Sequence, residues 1–216
     1  MGVVMEVSGP YALFSRPELK VERVSYDMIT PSAARGLFES IYWHPGIRWT
    51  IDKIHVMNPI QFVNIRRNEV SAKLSAANAL TVMKGKNEPL YISAQAAIQQ
   101  RASLLLRDVR YVIEAHFDLT SKAAPDDSAD KIYAIVMRRL QKGQCFQQPY
   151  LGCREFPADV RVAERPIGKT AYEGERDLGF MLYDMDYADP NDIKPQFFRA
   201  VLHDGVLDLS GVEVFQ

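Results

Sequence analysis

Tyr42, Trp43 and His44 stand in one run directly before Pro45. The window Ile41 to Ile60 that contains them holds both tryptophans and two of the four histidines. A phenol and an imidazole move protons and an indole stacks on bases, so the window concentrates groups suited to acid–base chemistry on a nucleic acid. His116 is a third candidate, on a segment whose alternation puts Arg110, Glu114 and His116 on one face. Such groups suffice for RNA without a metal. The ribose 2′-hydroxyl is an internal nucleophile, so a protein need only align it, take its proton, protonate the leaving oxygen and stabilise the charged phosphorane. Each residue also has a purely structural reading: Tyr42 as a core cap with its hydroxyl in water, His44 as a turn residue, His116 as an ordinary strand residue. His55 and His203 are read as structural.

The elements that must position these groups follow from periodicity. Val3 to Val7 alternates as a strand that Gly9-Pro10 breaks, with Tyr11 to Phe14 continuing the sheet and Val21 to Met28 a short extended piece. Thr30 as N-cap and Pro31 at the first helical position open a helix to about Tyr42, with Ala34, Leu37, Phe38 and Ile41 as its buried stripe. Arg48 to Val56 alternates imperfectly, with Trp49, Ile51, Lys53 and His55 assigned to one face. Asn58-Pro59 ends it and Ile60 to Arg66 resumes. Asn68 to Gln100 has no clear period and reads as a long insertion, which is unusual in a compact domain. Ala102 to Leu119 is the strongest strand, divided around Asp108. Ala129 to Gln141 is a second amphipathic helix closed by Gly143, and Cys145 to Leu151 is read as the next strand.

The order strand, helix, strand, strand, helix, strand is that of an α+β, ferredoxin-like (RRM-like) fold. Beyond Arg154, strand-like pieces at 160–163, 179–187, 197–203 and 205–209 predict a small antiparallel β-sheet extension. The expected organisation is a first domain over 1–153, with the insertion at about 68–100, and a β extension over 154–216.

Composition narrows the function classes. No Gly-x-Gly-x-x-Gly, P-loop, His-Glu-x-x-His, Cys-x-x-Cys or Gly-x-Ser-x-Gly pattern occurs, so nucleotide-cofactor enzymes, zinc hydrolases and α/β-hydrolases lose support, and neither metal nor cofactor is expected. Cys145 and Cys153 have no His/Cys cluster around them, which predicts reduced thiols and a cytoplasmic setting. The N-terminus lacks a secretory pattern, and Glu6 stands where a myristoylation signal needs Ser or Thr. The net charge of −1 gives no global attraction for a polyanion. Cations nevertheless gather between Arg48 and Arg110, and acids at 126–130 and 184–192, so one side can hold a nucleic acid. The window Gly143 to Pro157, following Arg138-Arg139, can wrap a phosphate backbone while Phe146 or Tyr150 stacks on a base, or can be a strand with core aromatics.

Four segments, Gly9-Pro10-Tyr11-Ala12-Leu13-Phe14, Ser40-Ile41-Tyr42-Trp43-His44-Pro45, Ile51 to Ile60 and Tyr150-Leu151-Gly152-Cys153-Arg154-Glu155-Phe156, together resemble the CRISPR-associated Cas five family, subtype I-C (Cas five-d). The likeness spans nearly the whole chain. It implies a RAMP-superfamily protein that cuts precursor CRISPR RNA within the repeat, independently of metal, and stays with the guide as a subunit of the type I-C interference complex (Cascade) in antiviral defence. It places the family's catalytic tyrosine on Tyr42 and its histidine on His116, acting as general base and acid in either order. The lysine that some members carry just before that histidine is absent, since Glu114 and Ala115 stand there. Lys53, Arg107 or Arg110 can replace its charge, and Glu114 can orient His116. RNA-binding residues are expected at Lys53, Arg66, Arg67, Arg107, Arg110, Arg138, Arg139 and Arg154. The alternative is a non-catalytic RNA- or duplex-DNA-binding scaffold that caps the 5′ end of the guide.

Overall fold

The computed structural model describes residues 2–19, 22–86, 89–189 and 191–216. Its spine is one strand, β5 (Ile98–Leu119), because this 22-residue run supplies ladder partners on both edges. Along one edge lies β1 (Gly2–Ala12), antiparallel, with Met5 opposite Ile113. Along the other, β3 (Ile47–Val56) pairs with residues 111–119 and β4 (Phe62–Val70) with residues 98–106. The two-residue β2 (Arg23–Val24) joins β5 in parallel, and Val21, where the extended piece was expected to begin, lies outside the described residues.

Three chain breakers meet at one level of this sheet. Asp108 adopts a left-handed φ of 51°, Pro10 falls opposite it in a gap of the β1 ladder, and Asn58 Nδ2 donates to the Asp108 carbonyl at 2.8 Å. A proline has no N–H to give a ladder, so its position beside a kinked partner costs no hydrogen bond. That is why β1 runs through Gly9-Pro10 and β5 through Asp108, where breaks were predicted.

The helix α1 (Pro31–Ile41) starts as expected. Thr30 Oγ1 accepts from the Ala33 amide at 3.2 Å, and Ala34, Leu37, Phe38 and Ile41 are buried in the core that residues of β1, β3 and β5 also line. The helix α3 (Ala129–Lys142) buries Ile132, Val136 and Leu140 and ends on Gly143 at φ 62°, while Ile135, expected inside, is only half-buried. Between them in sequence, α2 (Ala76–Met83) has no buried residue. It sits beyond the far end of the β4–β5 pair, so the predicted structureless insertion is an antiparallel arm carrying a short helix. The alternation along β4 was legible only to Arg66 because its less exposed face passes from Val63 and Ile65 to the charged Arg67 and Glu69. No described helix is long and apolar enough to cross a membrane.

Two further expectations are corrected. Cys145 to Leu151 is not a strand: the Phe146 and Gln147 amides both donate to the Ser40 carbonyl, at 2.8 and 3.1 Å, and Leu13 N–H donates to the Leu151 carbonyl at 3.1 Å. With its backbone committed to the end of α1 and to Leu13, the segment has no ladder to join. The strand beside β1 is instead β6 (Asp159–Val162). Within β3 the face assignment shifts at a bulge, since Ile51 faces Ala115 and Lys53 faces Glu114 with Asp52 left over. The extra residue turns Ile54 and Val56 inward, and Lys53 and His55 outward.

The strands β7 (Glu175–Asp186), β8 (Lys194–His203) and β9 (Val206–Asp208) extend the same sheet, giving the order β6-β1-β5-β3-β9-β8-β7. The fold is therefore α+β, with one large and mostly antiparallel sheet and few helices. Met181 and Phe198 join the core around α1, and Arg35 pairs with Asp184 of β7, so the last strands wrap back over that helix.

The opposite face of the central strands carries a buried acid. Glu6 is 4% exposed and accepts from Arg110 Nε at 2.7 Å and Arg161 Nη2 at 2.6 Å. The bond from Arg110, reinforced by Arg161 and opposed by burial, holds its carboxyl below the usual value of 4.5. A depressed folded pKa stabilises the fold above the unfolded value and loses that contribution as pH falls through the folded one. Glu6→Gln should therefore cost about 1–3 kcal/mol at pH 7, with the gap from wild type closing below pH 4. Urea midpoints at the two pH values check this.

Candidate active site

His116 lies near the end of β5, opposite Gly2 of β1 and Thr50 of β3. Its neighbours Ala115 and Phe117 point into the core with the helices, so strand alternation sends the imidazole to the other face. There its Nδ1 stands 2.8 Å from Asp52 Oδ1, and its Nε2 3.7 Å from Asp118 Oδ2. The side chain is 38% exposed, so a ligand can reach it. An Nδ1–H donated to Asp52 leaves Nε2 as the nitrogen that takes or gives a proton at the surface. Asp52 is available because it is the extra residue of the β3 bulge. Sequence reasoning had missed it, although the imperfect alternation of 48–56 was the signal.

Glu114 does not orient His116. It contacts His55 Nε2 at 2.7 Å, since both project from the same open face one strand apart. Lys53, directly opposite Glu114, brings a cation to that face with its Nζ 3.0 Å from Asp208. The hydroxyl and amide of Ser210, together with Lys53, push the Asp208 carboxyl down to about 2, and Asp208 in turn raises Lys53.

Tyr42 is the C-cap of α1. Its carbonyl accepts from Trp49 Nε1 at 3.3 Å, and its ring stacks with His44 at 6.2 Å beneath the Arg139 guanidinium, which lies 5.1 Å from the centroid. Arg139 Nη1 also donates to the Ile41 carbonyl at 2.7 Å, tying α3 to the end of α1. Tyr42 thus belongs to the helical side of the sheet and His116 to the open side. The structure does not bring the two side chains together. They share one end of the sheet, where Ile47 pairs with Leu119.

The predicted cations sit on several elements. Arg66 on β4, Arg138 on α3 and Arg154 in the loop before β6 are exposed, without an ion pair among the described residues. Arg107 donates to Gln61 at 2.8 Å, and Arg110 is held by Glu6. Arg67 is mostly buried, pairs with Glu155 and Glu69, and lies over the Phe156 ring at 5.7 Å, so it acts first as a structural residue. Arg23 and Arg101, not singled out from sequence, surround the same Glu69 at 2.9 and 3.7 Å. Burial raises the nearby Cys153 thiol, which keeps it protonated and inert.

An α+β protein whose open sheet face presents a carboxylate-held histidine and no nucleotide-cofactor motif is of a class equipped for acid–base chemistry on an external ligand. The family described as CRISPR-associated protein (Cas_Cas5), Cas5d, matches residues 2–209. The chain belongs to that family. It is 49% identical over 211 residues to the CRISPR pre-crRNA endoribonuclease Cas5d of Mannheimia succiniciproducens, covering 95% of this chain and 93% of that one. The CRISPR pre-crRNA endoribonuclease Cas5d of Thermus thermophilus is 41% identical over 186 residues, covering 86% and 73%. Among solved structures, a CRISPR-associated protein superposes with a TM-score of 0.71 at 24% identity, over 100% of this chain and 97% of the other, which supports the fold.

Proposed function

We propose that the chain is an endoribonuclease that cleaves precursor CRISPR RNA within its repeat by 2′-hydroxyl attack, and remains with the product as a subunit of a type I-C interference complex. The observation that carries this reading is near-complete similarity, at 49% identity, to a protein named for that activity. The geometry of His116 adds a chemical reason: a ring fixed at Nδ1 by Asp52 offers Nε2 to the reacting oxygens. In this reading Lys53 supplies the positive charge on the same face in place of the missing adjacent lysine. Tyr42 serves as the second proton-transfer group, with RNA passing around the end of the sheet that both residues share. The product upstream is a 2′,3′-cyclic phosphate.

The N-terminal unit is read as ferredoxin-like (RRM-like). Support comes from the order β6-β1-β5-β3, antiparallel throughout, with α1 and α3 packed against its core face. The proposed division is 1–153 with its arm at 68–100, completed by β6 from the segment 154–216 that otherwise forms the C-terminal extension.

A second reading, a non-catalytic scaffold capping the 5′ end of the guide, is favoured by the separation of Tyr42 and His116 on two sides of the sheet. One experiment decides between them. Incubated in EDTA with its own repeat RNA, the protein should cut the all-ribose substrate and leave intact one carrying a 2′-deoxy at the scissile position. Cleavage of neither assigns the scaffold role.

A further inference from the structure

Two clefts on the helical side share a wall. One, of about 440 Å³, runs between α1, β7 and the loop after α3, with Trp43 and Phe146 on its rim. The other, of about 300 Å³, is lined by Gln147, Gln148, Tyr150 and Arg154. Gln147 and Tyr150 line both, so the two clefts adjoin as one two-part groove with those side chains between them.

The rim is unusual. Trp43 is 55% exposed and Phe146 62% exposed, whereas the only other tryptophan, Trp49, is 4% exposed. The two exposed rings stack near-parallel on each other, 26° apart with centroids at 6.2 Å, so the pair leaves an outward ring face as an apolar platform. Their backbones are fixed: Phe146 N–H is bound to the Ser40 carbonyl, and Trp43 follows the C-cap residue Tyr42. A platform held rigid and left uncovered loses little entropy when a flat partner is laid on it. The polar groups beside it select that partner. Arg35 is consumed by Asp184 and Glu39, so among the described residues the aromatic cleft holds no spare cation for a phosphate. The Gln147 amide, with no side-chain hydrogen bond among the described residues, can pair with a base edge. Arg154, exposed and without an ion pair among the described residues, waits at the far end for an anion.

We propose that this groove binds an unpaired nucleotide flanking the repeat hairpin, its base stacked on Trp43 and Phe146 and its phosphate held by Arg154. The site rests on the RNA reading above. It adds to the protein a way of holding single-stranded flanks apart from the reacting face that carries His116.

The test uses the full chain and two RNAs: its own repeat with single-stranded flanks, and the same hairpin with the flanks trimmed. Trp43→Ala should weaken binding of the flanked RNA by about tenfold and leave the trimmed hairpin unchanged, Trp43→Tyr should restore affinity, and Phe146→Ala, which removes an exposed ring, should repeat the loss. Tryptophan fluorescence of the wild type should be quenched by the flanked RNA only, since Trp49 is buried. Equal losses on both RNAs, or none on either, overturn the site. So does retention of RNA affinity by Trp43→Ala with loss of assembly into the interference complex, which makes the platform a protein contact. Should the flanked RNA quench Trp43 but never be cut, the nuclease reading fails and the binding site stands.

Discussion

Replacing His116 by alanine should lower the single-turnover rate of repeat cleavage by about 10²- to 10⁴-fold, the usual worth of a positioned acid or base, while the dissociation constant for repeat RNA stays within about twofold of wild type. Binding survives because the single imidazole carries a small part of an interface spread over phosphates. The expectation is specific to this geometry. Asp52 touches the ring at Nδ1, so Asp52→Asn keeps the size of the side chain but offers an amide where a carboxylate accepted the N–H. Its effect should be a smaller loss in kcat with KM unchanged, the signature of a positioning residue. Glu114→Gln, which disturbs the contact with His55 and removes one of the lesser charges acting on Lys53, should leave the rate near wild type. Tyr42→Phe separates the two halves of the mechanism. A loss comparable to that of His116→Ala means that RNA spans both sides of the sheet, and a rate within about threefold of wild type confines the chemistry to the open face and leaves Tyr42 as the cap of α1. A His116→Ala protein that still cuts at the wild-type rate sinks the assignment.

The reason the two candidates stand apart lies in how differently their positions were legible. Thr30-Pro31 and the spacing of Ala34, Leu37, Phe38 and Ile41 placed Tyr42 at a helix end, because a cap and an amphipathic stripe are local signals. The alternation of 109–117 placed His116 away from the core for the same reason. What the sequence could not display was the relation between the two. Whether a helix terminus and a strand face border one cleft depends on which side of the sheet the helix lies, and alternation says only that two faces differ. Asp52 was hidden for another reason. A bulge breaks the alternation by one residue, and from sequence the break reads as noise on both faces rather than as a carboxylate delivered to His116. The strand at 159–162 was expected at 160–163 but assigned to the extension, because Asp-Val-Arg-Val is only four residues long, while the longer Gly- and Pro-bounded run at 143–157 drew the place of the fourth ferredoxin-like strand to itself. Its aromatics suggested a core strand, yet Phe146 is among the most exposed apolar residues of the described chain. The stretch 68–100 has the mirror-image cause: with none of its described residues buried, its strand ends and helix lacked the apolar period that sequence reading depends on.

Gly152→Ala should be the most damaging single change in the loop that carries the proposed nucleotide site, at about 3–5 kcal/mol of stability. Two costs add at this residue. Its φ of 82° lies where a side chain is strained, and a Cβ there would lie 2.6 Å from the carbonyl carbon of Leu13 and closer still to its oxygen. Backbone, unlike the end of a flexible side chain, cannot step aside cheaply, and this backbone is anchored by the Leu13 amide bound to the Leu151 carbonyl. Leu151 itself is fully buried, so the loop cannot lift off to relieve the collision without opening the core. Gly143, at the other end of the same loop, supplies the control. Its φ of 62° is also left-handed, but a Cβ would meet nothing within 4 Å. Gly143→Ala should therefore cost only about 1 kcal/mol, the conformational part alone. Urea midpoints of the two variants measure the difference, and equal values would mean that the close approach to Leu13 contributes nothing. Because Tyr150 and Arg154 flank Gly152 in the loop, the damage should extend to RNA. Gly152→Ala should lose affinity for the flanked repeat even at temperatures where it remains folded, whereas Gly143→Ala should bind as wild type does.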